Sequence, residues 1–122
     1  MPVACRLANE MPSTTFIVRR WHGRVRHGDV EEYLRLMNEV AIPDYRKTPG
    51  NLGAFCLHRL ENDIAHIEML SLWRNIHDIA AFAGDDVGLA RYYPFDDRFL
   101  LEKEPFVEHF VASGECIAVP PH

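Results

Sequence analysis

Apolar positions along the chain switch between a spacing of two and the spacing of a helix, and these switches mark out six elements. From Phe16 to about Arg26, "FIVRRWHGRVR" is rich in β-formers and reads as a first strand. In "GDVEEYLRLMNEVAIPDY", Val30, Tyr33, Leu34, Met37, Val40 and Ala41 recur at helical spacing. Asp29, with Glu32 three residues on, predicts the N-cap, and Pro43 predicts a helix end near Ile42. "RKTPGN" is a loop with a Pro-Gly turn. "LGAFCLHRLENDIAHIEMLSLW" predicts a hairpin turning at Asn62-Asp63, with Glu61 opposite Ile64, His58 opposite Ile67 and Arg59 opposite His66.

Strand alternation then puts Ala54, Cys56, His58, Ile67, Met69, Ser71 and Trp73 on one face. The other face takes Phe55, Leu57, Arg59, His66, Glu68, Leu70 and Leu72. Neither face is cleanly polar. Both are therefore expected to be covered, one by helices and the other by a second subunit. A second helix opens at Asn75, with Asp78 in its first turn, Ile76, Ile79, Ala80 and Ala83 as its inner stripe, and Gly84 as its stop. "DDVGLARYYPFDDRFLLEKEP" holds one or two short helical turns, and "PFVEHFVA" is a last strand. The order β-α-β-β-α-β defines an α+β fold, the ferredoxin-like split βαβ arrangement (βαββαβ), with an antiparallel sheet in spatial order 4-1-3-2. The expected domain spans residues 16–112. Residues 1–15 form a loosely held arm. Residues 113–122 form a tail, either a short extra strand or a segment lying on a partner subunit.

At 122 residues, 48% of them hydrophobic and 25% charged, the chain is one ordinary globular domain. A net charge of -5 speaks against nucleic acid as a partner. No apolar run approaches the roughly 20 residues of a membrane span, and "MPVACRLANEMPSTT" shows no secretory leader. Cys5, Cys56 and Cys116 are odd in number and widely spaced, which fits reduced thiols in the cytoplasm. No metal motif appears, and His58 and His66 are expected on opposite faces. No G-x-G-x-x-G or Walker loop appears either, so no nucleotide fingerprint supports a reductase.

Four words in this order, "RRWHGRV", "DYRKTPGNLGAFCLHRL", "LSLWRNIHDIAAFAGDD" and "ARYYPFDDRFLLEKEPFVEHF", resemble the antibiotic biosynthesis monooxygenase (ABM) family over about Phe16 to Val111. The resemblance implies a homodimer whose two sheets close into a dimeric α/β barrel, with a pocket between sheet and helices in each subunit. It also implies, as one activity among several, oxidation of a flat phenolic or quinone-like small molecule by molecular oxygen without a bound cofactor. Many members have no assigned reaction, so a non-catalytic homodimer that holds a hydrophobic metabolite is the alternative. The haem-degrading relatives fit less well. Where they carry an iron-ligating histidine this chain has Ala83, with His77 a turn too early, and in place of their first-strand asparagine it offers Trp21 and His22.

The candidate site residues follow from this resemblance and from side-chain chemistry. Trp73 matches the family's tryptophan at the end of the third strand. It either stacks on a flat ligand or fills core with Phe82 packed on it. Trp21 and Tyr92 are further aromatic candidates for the substrate wall. His109 on the last strand is either a base that takes a proton from a phenol or a structural imidazole. Arg91 and Tyr93 are placed to steady an enolate or carbonyl. The competing reading is a packed loop in which Arg91 pairs with Asp96 or Asp97. Arg20, His22, Arg24 and Arg26 share one alternation. The stripe either holds a phosphate or flavin tail or consists of solvated or barrel-lining charges paired with carboxylates such as Glu68 or Glu108, the pairing being the expectation.

Overall fold

The computed structural model describes residues 15–114. The expected arm, with Cys5, and the tail from residue 115 on, with Cys116, lie outside the described residues. Four strands form one antiparallel sheet in the order β2-β3-β1-β4: β1 (Thr15–Arg26), β2 (Asn51–Glu61), β3 (Ile64–Trp73) and β4 (Glu108–Ser113). This is the α+β, ferredoxin-like order expected from the sequence. The hairpin register is also as expected, with Glu61 opposite Ile64, His58 opposite Ile67 and Arg59 opposite His66. Asn62 carries the turn at φ 57°, a left-handed conformation that asparagine tolerates. His58 and His66 accordingly project to opposite faces.

The first crossover departs from expectation in an informative way. A 3-10 turn at His27–Asp29 leads into α1 (Val30–Leu36), a π-helical turn (Met37–Ala41) and α2 (Ile42–Arg46). Asp29 makes no side-chain cap, because the 3-10 turn has already begun the helix before it. Pro43 does not stop the helix. It falls in the first turn of α2, where a missing N–H costs little, and its carbonyl accepts from Lys47. The π turn also sets which residues point inward: Tyr33, Met37, Ala41 and Tyr45 are buried at intervals of four, while Val40, expected inside, is 42% exposed. A wider turn needs four residues, not 3.6, to return to the same face.

The second crossover begins as expected, with the Asn75 side chain accepting from the Asp78 N–H at 3.0 Å. A 3-10 turn (His77–Ile79) and α3 (Ala80–Ala83) end at Gly84, φ 92°. Residues 88–90 then pair with residues 105–107 as a two-stranded ribbon around the short α4 (Asp96–Phe99). No helix among the described residues is long and apolar enough to cross a membrane.

The helices cover one face of the sheet. There the alternation of β1 and β3 buries Trp21, Val25, Ala65, Ile67, Met69 and Trp73 against Tyr33, Met37, Tyr45, Ile79, Phe82 and Phe99. Gly23 sits in this row so that the Trp21 ring can cross it; a Cβ there would come within 2.6 Å of the indole. The opposite face carries a ladder of ion pairs beside exposed apolar side chains. Arg20 binds Glu68 at 2.9 Å and Glu108 at 2.6 Å, and Arg24 binds Glu102 at 2.7 Å. His22 contacts Glu104 at 2.5 Å and His66 at 3.1 Å. Phe55, Leu57 and Phe110 are 55%, 42% and 48% exposed on that same side.

Candidate functional site

Between the sheet and the first crossover lies a narrow cleft. Its floor is Trp21 and Met69 from the sheet, its helical wall is Met37, Ala41 and Tyr45, and Arg91, Tyr93 and Asp96 close the remaining side. As it stands the cleft encloses about 10 Å³, room for roughly one water. Its surroundings are tightly packed. Tyr45 stacks on Phe82 with ring centroids 4.1 Å apart, and the Arg91 guanidinium lies 4.6 Å from the same ring. Tyr93 stacks on Phe95 at 5.4 Å, and Trp21 meets Tyr92 edge to face at 6.1 Å.

The structure distributes the residues singled out from the sequence over three environments. Trp21, Arg91 and Tyr93 line the cleft. Trp73 and Phe82 stand behind Tyr45, Trp73 fully buried and donating its indole N–H to the Ser71 Oγ at 2.9 Å. Tyr92 packs on Trp21 and donates its hydroxyl to the Glu104 carbonyl. His109 is paired across the strands with Arg19, and its Nε2 is buried without a hydrogen-bond partner. His22 faces the other side of the sheet, so the two histidines do not share a site. His77 is exposed, and Ala83 occupies the turn where a haem ligand would be sought.

The expected pairing of Arg91 with Asp96 or Asp97 does not occur. Arg91 instead bonds Asp44 at 2.8 Å and the Phe82 carbonyl at 3.2 Å, because α2 brings Asp44 across the cleft mouth. Asp44 also accepts from the Tyr93 hydroxyl at 2.8 Å and from Lys47 at 3.0 Å. Burial works to raise its pKa, but these hydrogen bonds and the Arg91 charge prevail and hold it below the usual carboxylate range. The Tyr93 phenol is pushed up by burial and by its bond to Asp44, so it stays protonated. Asp97 pairs with Lys103.

Asp96 has a different job. It is 1% exposed, accepting from the Tyr33 hydroxyl at 2.7 Å and from the Tyr93 N–H at 2.7 Å. Burial raises its pKa despite those two donors. Arg19, Tyr45 and Asp44 were not singled out from the sequence, and Asp96 was named there only as a partner for Arg91. The period-two burial of Trp21 and Val25 was the one signal that places Arg19 on the inner face. Tyr45 was concealed by the helix end predicted at Pro43.

Cys56 is a free thiol whose pKa burial pushes up to about 11, so it is not a reactive thiolate at neutral pH. No cluster of metal-ligating side chains occurs among the described residues.

Fold and cleft together define a class: a small α+β chain with a ferredoxin-like antiparallel sheet and a polar-edged aromatic cleft under its first crossover. No protein-family model matches the chain, and no curated protein matches it in sequence. Solved structures do share the fold. One from Nitrosomonas europaea, named provisionally as an antibiotic biosynthesis monooxygenase, superposes at a TM-score of 0.55 with 12% identity, covering 84% of this chain and 91% of its own. Another, from Bacillus cereus and named in the same provisional way, gives 0.52 with 14% identity, covering 89% and 99%. A protein of unknown function from Nitrosomonas europaea gives 0.54 with 11% identity, covering 88% and 99%. The chain is thus ABM-like in fold.

Proposed function

We propose that this chain is a cofactor-independent monooxygenase of a flat phenolic or quinone-like molecule, working in the cytoplasm as a homodimer. The observation that carries the reading is the cleft, where aromatic faces and protic side chains from three elements converge. Trp21 and Tyr45 supply the aromatic wall, backed by Tyr92, Trp73 and Phe82, which an opened cleft would bring against the ligand. Arg91 and Tyr93 supply a cation and a phenol O–H for an enolate or carbonyl oxygen. His109 supplies the base. Burial, and then the Arg19 charge, lower its pKa, so the imidazole is neutral and able to accept a proton. Removing a phenol proton makes the ring carbon electron-rich enough to meet oxygen. The phenol O–H and the ring C–H opposite it, with O2, then give a quinone and water, all four electrons coming from the substrate. An aromatic ligand is larger than the present space, so its binding displaces Tyr45 and Arg91 from Phe82. On the opposite face, exposed Phe55, Leu57 and Phe110 are the surface that a second copy would cover.

Oxygen uptake with a reduced polycyclic phenol tests this reading. Arg91→Met and His109→Gln are expected to lower the rate tenfold or more. Equal rates in all three proteins remove both residues from the mechanism. The tight packing of the cleft favours a second reading, a non-catalytic homodimer that holds a hydrophobic metabolite. Mass spectrometry of the small molecules released from purified protein, returned unchanged after incubation in air, would select it.

A further inference from the structure

We infer that Arg19 and His109 form an anion-binding subsite on the helix-facing side of β1 and β4, which takes the ionised oxygen, carboxylate or phenolate, of an aromatic ligand. The inference rests on the sheet–helix space being a ligand site. It adds a substrate class that the cleft alone does not specify.

Arg19 is 1% exposed, and a guanidinium cannot shed its charge. Arginine is almost never so deeply buried without a carboxylate. Here no carboxylate lies within ion-pair distance of it among the described residues. Its Nη2 donates to the Leu89 carbonyl at 3.0 Å, the Phe82 ring lies 5.7 Å away, and the Tyr45 hydroxyl is its polar neighbour. Its Nε has no hydrogen-bond partner. Asp44, the carboxylate beside Tyr45 in the chain, is engaged by Arg91, Lys47 and Tyr93. The guanidiniums of Arg19 and Arg91 therefore share the Phe82 ring, and of the two it is Arg91 that holds the carboxylate.

The second orphan stands directly across the strand. His109 is the register partner of Arg19 on β4, and its buried Nε2 is also without a partner. Side chains so paired lie on one face about 5 Å apart at Cβ, so both groups project into the same sheet–helix space. Towards a carboxylate, the neutral imidazole donates from Nε2. Towards a phenol, it takes the proton: the O–H bond breaks, an N–H bond forms, and Arg19 balances the phenolate. Tyr45 connects this pair to the cleft, since it neighbours the Arg19 guanidinium and lines the cleft wall.

The test is calorimetric binding of 2-naphthoate and its neutral isostere 2-naphthamide to the full chain at constant ionic strength. Naphthoate is expected to bind at least about tenfold more tightly, the factor for one charge-assisted hydrogen bond. Arg19→Met should erase that preference without lowering the melting temperature, since it removes an uncompensated buried charge. His109→Gln, which keeps a polar side chain of similar reach, should reduce the preference. Equal binding of acid and amide overturns the subsite but leaves the cleft as a ligand site. Binding of neither overturns both. A wild-type preference retained in Arg19→Met also overturns the subsite. If Arg19→Met does not fold, the acid–amide comparison in the wild type and in His109→Gln decides.

Discussion

Tyr33→Phe removes one oxygen atom from the middle of the molecule and tests how the Asp96 side of the cleft is held. Tyr33 is fully buried and donates its hydroxyl to Asp96 at 2.7 Å, joining α1 to α4. The ring contacts to Phe95 and Phe99, at 6.2 and 5.6 Å, survive the substitution, so the packing loss is small. What is lost is one of two donors, the other being the Tyr93 N–H, to a carboxylate that is 1% exposed. A hydrogen bond to a charged group contributes about 1.5–3 kcal/mol, and that is the expected cost at pH 7.5. The pH dependence carries the sharper test. Burial holds the folded-state pKa of Asp96 above 3.8, and losing the Tyr33 donor pushes it higher still. Asp96 therefore favours folding when protonated, and that contribution is lost as pH rises through its folded pKa. The cost of the substitution must shrink as pH falls through the same range, because a neutral carboxyl needs less help. Urea unfolding at pH 7.5 and again at pH 5, with matched m-values, reads both numbers. A loss below about 0.5 kcal/mol at pH 7.5, or one that does not diminish in acid, refutes the reasoning.

Three further outcomes follow from the same packing. Gly23→Ala brings a Cβ within 2.6 Å of the Trp21 ring and 2.8 Å of Leu100; overpacking of about 1–3 kcal/mol should outweigh the usual gain from replacing a strand glycine, with a shifted tryptophan emission. Ser71→Ala leaves the buried Trp73 N–H without its acceptor and should cost about 1–3 kcal/mol in chemical denaturation. Glu68→Gln weakens the half-exposed pair with Arg20 and should cost less than about 1 kcal/mol. Arg20 holds the Glu68 pKa below 4.5, so this cost is present above that pH and disappears as pH falls through the folded value, which melting curves at pH 7 and pH 3.5 would show.

The hairpin was legible because its determinants are local: a two-residue Asn-Asp turn and strict alternation leave one register open. The Asn75 cap is local for the same reason. The first helix was legible in its start and face but not in its end, since the rule that proline stops a helix assumes α geometry throughout. Spacing by four at Tyr33, Met37, Ala41 and Tyr45 was the trace the π turn left in the sequence. The Arg91–Asp44 pair joins positions 47 residues apart, and the Arg19–Leu89 bond joins positions 70 apart. No window of sequence contains either, and each depends on where a crossover lands. The inward aspect of Arg19 was readable from its alternation with Trp21; the absence of its counter-charge was not.

Strand β1 links the two faces, and Arg20 shows how. Its direct partners across the strands are Leu70 and Glu108, and its guanidinium reaches diagonally to Glu68, so one side chain spans β3, β1 and β4. A slip of β1 by one residue would turn Arg20, His22 and Arg24 inward and strand three polar heads in the core, while Trp21 and Val25 went to the outside. The ion-pair ladder thus contributes little as exposed salt bridges but penalises every register except the native one. In that register the residue beside Arg20 must face the helices, and that residue is a second arginine. The ladder on one face therefore fixes a lone cation on the other, which ties the geometry of the outer surface to the charge of the inner site.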